Sequence, residues 1–276
     1  MFGRTGLVAA ALLVIGAAAA SAQTQGSPPE HPVAASSHAA AGTRTLTTSY
    51  DASWTGISAA QITVAVSMTP TAYSAKANLR PSGLTSITSH LRKSATYSAQ
   101  SRGAFGPNGG ALPAHYNHHG GKKNRQVSVD FAPREVKVSA TPIFGSMGDP
   151  AASTAQRREA VDSLTAIVSL ISATPEDACT QDLKIFDGRA RYNLSLSPAG
   201  AEQIKVGGYQ GTATKCTIAY KRIAGFEKKK DEKPLFDKPV SIWFAPTSNG
   251  LMAPAKVAVD SNWGPIHISL KSMAVS

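Results

Sequence analysis

Short runs of strictly alternating apolar and polar residues constrain this chain more than any other feature. Tyr50, Ala52 and Trp54 alternate with polar neighbours, as do Ile62, Val64 and Val66, and then Tyr73, Ala75, Ala77 and Leu79. A period of two puts every second side chain on one face, which is the pattern of a strand with one side on a core. Gly56-Ile57-Ser58 reads as the turn between the first two runs, and Pro70 and Pro81-Ser82-Gly83 end the second and third. Runs at 97–105, 126–131 and 135–138 extend the meander, with 106–121 between them as a glycine-rich, histidine-bearing connection. Asp187-Gly188 gives the sharpest hairpin signal, with Tyr192, Leu194 and Leu196 alternating on the return. Runs at 203–209, 213–224, 240–244, 257–259 and 266–270 complete an expected dozen or more strands. Residues 228–233 read as a charged hairpin tip.

One helix interrupts the strands. Ala160, Val161, Leu164, Ile167, Val168 and Ile171 recur at helical spacing, with Ser153 and Gln156, or Asp162, available as the N-cap and Pro175 beyond the end. A lone apolar helix face among strands has to be buried on a sheet. The expected class is therefore mainly β, with one amphipathic helix packed on the sheet.

The first residues give an address. Arg4, the apolar run through Leu12, Leu13, Val14 and Ile15, and Ala20-Ser21-Ala22 have the order of a cleavable signal peptide over residues 1–22, cut between Ala22 and Gln23. The run is short for a bilayer span, no cysteine follows it to carry a lipid, and no later run is long enough to cross a membrane. Residues 23–44, rich in Ala, Ser, Pro and His, read as a disordered leader, and 45–276 as a single β domain. A periplasmic location follows.

Cys179 and Cys216 are the chain's 2 cysteines. In an oxidising compartment an even count favours a disulfide, and closing a loop of about 37 residues contributes roughly 3 to 4 kcal/mol in the chain-entropy picture. Two isolated thiols are the alternative. The absence of a Cys-x-x-Cys spacing argues against thiol oxidoreductase chemistry.

The formal charge is +11, and no Asp or Glu lies between Asp51 and Asp130, where Lys76, Arg80, Arg92, Lys93, Arg102, Lys122, Lys123 and Arg125 all fall. Such a field gathers anions, or simply keeps the chain soluble. In a periplasm the anions are lipid headgroups, lipopolysaccharide phosphates and acidic glycans, and nucleic acid is excluded by the address. Arg189 and Arg191, flanking the Asp187-Gly188 turn, are a candidate anion clamp together with Lys122, Lys123 and Arg125, because guanidinium binds phosphate or carboxylate by two bonds. A solvated sheet face is the plainer account.

His115, His118 and His119 have the chemistry of Zn²⁺ or Cu²⁺ ligands, but Lys122 and Lys123 beside them repel a cation and no acid is near in sequence, so no metal is expected. Asp177, Asp182 and Asp187 fit turns and caps better than a carboxylate pair. No nucleophile elbow or phosphate loop occurs, and no cofactor is implied.

Taken in order, Tyr50 with Trp54-Thr55-Gly56, Pro113-x-x-Tyr116, Asp162-Ser163-Leu164, Phe186-Asp187-Gly188-x-x-x-Tyr192, Cys216-x-x-x-Tyr220, Ile223-x-Gly225, Pro254 and Trp263-Gly264 resemble the domain of unknown function family 3108 over roughly residues 46–272. The resemblance implies an exported bacterial protein with no established activity. It also implies a strongly curved antiparallel sheet, similar to the half-barrels and β-spirals of periplasmic lipoprotein carriers. A non-catalytic carrier or binding protein for a lipid, lipopolysaccharide or acidic glycan ranks first. A structural envelope protein acting through protein or cell-wall contacts follows, and a hydrolase of envelope polymers comes third.

Overall fold

The computed structural model describes residues 42–83, 96–121, 124–227, 239–261 and 264–276. The expectations for the signal peptide, almost all of the leader, Arg92, Lys93, Lys122, Lys123, residues 228–233 and Trp263 lie outside them. Thirteen strands form one antiparallel sheet: β1 (Arg44–Trp54), β2 (Ile57–Met68), β3 (Ala72–Pro81), β4 (Tyr97–Phe105), β5 (Ala111–Gly120), β6 (Arg125–Phe131), β7 (Val136–Thr141), β8 (Asp182–Phe186), β9 (Arg191–Val206), β10 (Tyr209–Ala224), β11 (Val240–Pro246), β12 (Met252–Ser261) and β13 (Gly264–Val275). Two helices, α1 (Thr154–Arg158) and α2 (Ser163–Ser172), lie between β7 and β8 in sequence. The spatial order is β7-β6-β5-β4-β3-β2-β1-β13-β12-β11-β10-β9-β8, so the N- and C-terminal strands meet in the middle and the sheet stays unclosed between β7 and β8.

The alternation is met residue for residue in β3, where Tyr73, Ala75, Ala77 and Leu79 are buried and their neighbours exposed. The same inward set continues through Ala60, Ile62, Val64 and Val66 of β2 and Leu46, Tyr50 and Ala52 of β1. The first hairpin turns at Thr55-Gly56, both at positive φ, and Ile57 already belongs to β2. Gly56 takes that backbone without the steric cost a Cβ would bring.

Both proposed N-caps are used, by different helices. Ser153 and Gln156 close a capping box on α1. Asp162 caps α2, and Leu164, Ala166, Val168 and Ile171 are at most 2% exposed on it. The helix packs over β3, β4 and β5 on one side and β8 and β12 on the other, and so fills the concave face. Each fully buried Leu, Val or Ile side chain there contributes about 1.5–3 kcal/mol. The free edge of β8 is not left bare: Val161 donates to the Lys184 carbonyl and accepts from Phe186 N, each at 2.9 Å, which adds a one-residue parallel bridge.

Two segments differ from the sequence expectation. The histidine-bearing connection is a strand, β5, whose inward positions are Ala111 before a bulge and Tyr116, His118 and Gly120 after it. Pro113 is tolerated because the β4–β5 register shifts beside it, at Arg102/Gly103. The run at 203–209 is not a separate strand either: β9 continues through Pro198 and Gly200 to Val206 and turns at Gly207-Gly208 into β10. β10 pairs with β11 only from Thr214 to Ile218, so the distal β9–β10 hairpin is an arm. It folds over the outer face of β11–β13, where a Cβ on Gly207 would stand 2.5 Å from the Leu270 carbonyl oxygen. Beneath it Ile204, Ala213, Trp243, Ala245 and Ala255 make a second small core.

Cys179 and Cys216 are joined, tying the segment after α2 to β10.

Candidate functional site

The outer wall of β3 and β4 carries Lys76, Arg80 and Arg102, all exposed. Cross-strand register sets Lys76 opposite Gln100 and Arg102 opposite Ser74, so the two cations are diagonal neighbours on one face, about 7–8 Å apart at Cα. Arg80 lies four residues further along β3, about 13 Å away. Gln61, Thr63, Asn78, Gln100 and Asn117 fill the wall between and beside them, since the register aligns Gln61 with Arg80, Thr63 with Asn78 and Asn117 with Gln100. Among the described residues no carboxylate pairs with any of these three cations. The first acid along the sheet in this direction is Asp130 of β6, already bonded to His115 Nδ1 at 2.6 Å.

The proposed anion ligands at the β8–β9 turn are placed differently. Arg191 is 1% exposed, on the face of β9 opposite Tyr192 and covered by α1. Its Nε donates to Gln156 O (3.0 Å), Nη1 to Tyr192 O (2.7 Å) and Asn193 Oδ1 (2.5 Å), and Nη2 to Glu159 Oε1 (3.0 Å). Hydrogen bonds from Lys184 and from this guanidinium hold the Glu159 carboxyl below its ordinary range. Arg189 reaches Ser146 O and Glu227 instead, so the two guanidiniums share no ligand. Arg125 donates to Pro142 O and Ile143 O and stands 4.4 Å from the Phe144 ring centre. All three are engaged by the fold.

The histidines separate because β5 is a strand. His115 and His119 point outward and His118 inward. Among the described residues no group of three His, Cys, Asp or Glu has the spacing to hold a metal ion. Asp130, which sequence proximity does not reveal, reaches His115 through the β5–β6 register.

Under α2 the described interior holds a polar network centred on Asp162. Asp162 Oδ1 accepts from Leu164 N and Thr165 N, and Oδ2 accepts from Ser101 Oγ (2.9 Å) and Thr165 Oγ1 (2.5 Å). Tyr73 OH meets Thr165 Oγ1 at 2.6 Å, and Ser163 Oγ donates to Tyr116 OH at 3.1 Å. Burial raises the Asp162 carboxyl above its usual range, and the four donors oppose that shift. The acid is a cap fastened to β3 and β4 rather than a group facing a cleft.

Comparison with known sequences decides the kinship. The family described as a protein of unknown function, DUF3108, matches residues 49–271. The chain belongs to the DUF3108 family. No curated protein matches it. Among solved structures, the chain is similar to a β-barrel-like protein of the DUF1849 family from Brucella abortus, at 11% identity, with 84% of this chain and 98% of that one covered and a TM-score of 0.44. It is also similar to a candidate lipoprotein of Parabacteroides distasonis, at 9% identity, with 85% and 96% covered and a TM-score of 0.31. Among the described residues no helix is long and apolar enough to cross a membrane, and the disulfide fits an exported protein.

Proposed function

We propose that this DUF3108 protein is an exported, non-catalytic binding protein of the cell envelope that recognises phosphate-bearing lipid headgroups through the outer wall of β3 and β4. The observation that carries this reading is the trio Lys76, Arg80 and Arg102, exposed among amide and hydroxyl side chains and, among the described residues, without carboxylate partners. Lys184, Arg191, Lys215 and Lys271 each have an acid to bind, whereas these three, gathered on one wall, have solvent. Guanidinium and ammonium groups beside amide donors suit phosphate oxygens. The carrier form of the reading would lodge an acyl chain on the concave face, and α2 already occupies that face. Headgroup contact on the outside needs no such displacement.

The test is co-sedimentation of the mature protein with vesicles of phosphatidylglycerol and phosphatidylcholine, against phosphatidylcholine alone. Binding should require the anionic lipid and weaken with salt. The triple variant Lys76→Gln, Arg80→Gln, Arg102→Gln should lower the affinity between tenfold and a hundredfold, taking about 1 kcal/mol or less per basic residue near the surface. Equal binding to both vesicle types, or an unaffected triple variant, overturns the reading. An extractable lipid in native mass spectrometry would instead restore the concave face as the site.

A further inference from the structure

Around the sheet, each strand is fastened to the next by a backbone ladder, except where β7 and β8 leave the seam. The seam is crossed on the inner face by α2 and closed beside it by the turn 187–190. Asp187 Oδ1 accepts from Arg189 N and Ala190 N, which fixes the turn's shape. Gly188, at φ +99, presses so close to β6 that an added Cβ would lie 2.6 Å from Val127 Cγ1 and 3.1 Å from Val129 Cγ2. Arg189 Nε donates to Ser146 O at 2.9 Å. A further bond across the seam comes from β5, where His118 Nε2 meets the Asp187 carbonyl oxygen at 3.2 Å.

We propose that the turn 187–190 is an acid-releasable latch across the β7/β8 seam, with His118 as the group that releases it.

A carbonyl can only accept, so the bond to Asp187 assigns the proton of neutral His118 to Nε2. Nδ1 then carries a bare lone pair, and it is buried without a hydrogen-bond partner. The ring lies against Tyr97 and Tyr116, with centroid separations of 5.4 and 5.6 Å. Protonation would place an N–H and a positive charge at Nδ1 with nothing to accept from it, which is costly in a buried setting. Of the groups that face it, the Asp187 carboxylate across the seam and the Asp187 carbonyl favour the charged form. Arg125 of β6 and His119 of β5 oppose it, and burial, the largest influence, opposes it as well. Tyr97 of β4 and Tyr116 of β5 are kept as neutral phenols by burial.

The closed seam therefore holds the imidazole below its ordinary titration range. An open seam exposes it to water, where it takes a proton near pH 6.5. Because the open form binds more protons, falling pH favours opening, by up to tenfold per pH unit below that value. Opening bares the inner faces of Tyr97, Tyr116 and Tyr192 and leaves β7 and β8 as edge strands held by the β6 and β9 ladders, which then fray first.

Hydrogen–deuterium exchange of the mature protein at pH 7.5 and 5.0, scaled for intrinsic exchange, tests the latch. Protection of Val136–Thr141 and Asp182–Phe186 should fall at pH 5.0, approaching about thirtyfold, while β1 and β2 keep theirs. His118→Gln retains a donor for the Asp187 carbonyl and cannot titrate, so its seam should stay closed at both pH values. Unchanged seam protection in the wild type, loss spread evenly over the sheet, or an acid response retained in His118→Gln would each overturn the proposal. A wild-type NMR titration of the His118 ring covers the case in which the variant does not fold. A midpoint below the ordinary histidine value of about 6.5 is expected, and one at or above it sinks the latch.

Discussion

The outer walls of β3–β4 and of β11–β12 belong to the same sheet and are finished in opposite ways. On β11–β12 the wall is covered by the β9–β10 arm, and the cations under it are used. Lys215 and Lys256 lie 4.8 and 4.5 Å from the centre of the Trp243 ring, and Glu202 accepts from both Lys215 and Trp243 Nε1. On β3–β4 no second layer is described, and Lys76, Arg80 and Arg102 stand in solvent. The difference begins in the sequence. Carboxylates are missing from the stretch between Asp51 and Asp130, whereas the second half supplies one for Lys184, Arg189, Arg191 and Lys215. Charge in the covered wall serves the fold, and charge in the bare wall is left to solvent.

The largest effect should come from removing what the covered wall is built on. Trp243 is 4% exposed under the arm, so Trp243→Ala should cost about 3–5 kcal/mol in urea unfolding. Trypsin should then cut at Lys205 in the arm faster than in the wild type. A loss under about 1 kcal/mol would mean that the arm rests on its own hairpin and not on the tryptophan.

Cys216→Ser comes next. The bond spans a sequence separation of 37 and anchors β10 at the root of the same arm. Its loss should cost roughly 3 to 4 kcal/mol under oxidising conditions. Wild-type protein unfolded with reductant present should fall to nearly the same stability. A gap that persists in reductant would show that the buried serine hydroxyl, rather than the lost cross-link, is responsible.

How much of this was legible in the chain depends on where each residue's partner lies. β1 to β3, the Asp187-Gly188 turn, the Asp162 cap and the cysteine pair are written locally, in alternation, turn chemistry or count. β5 was hidden because its inward positions beyond the bulge, Tyr116, His118 and Gly120, include no aliphatic, so the period of two carries no hydrophobic signal there. The arm was hidden because it covers little more than one tryptophan and needs few apolar residues, Ile204, Val206 and Ala213, spread over two strands. Arg191 reads as a surface cation until Glu159 and Gln156, more than thirty residues upstream, are folded against it. The bare wall was half legible: its lack of acids is visible in sequence, but the register that sets Lys76 beside Arg102 is not.

The smallest expected effect is the one that separates the walls most cleanly. Lys76→Gln, Arg80→Gln and Arg102→Gln together should leave the urea midpoint of unfolding where it is, because no carboxylate loses a partner and the glutamine stems keep the strand's polar face. A slight rise is admissible, since Lys76 and Arg102 are like charges on a diagonal. Lys215→Gln should lower the midpoint, because it removes a cation from the Trp243 ring and from Glu202 at once. If the triple variant is destabilised as much as Lys215→Gln, the wall cations contribute to the fold and their loss cannot be read as loss of a binding surface. If it is not, weaker vesicle binding by the same variant reports on the wall alone.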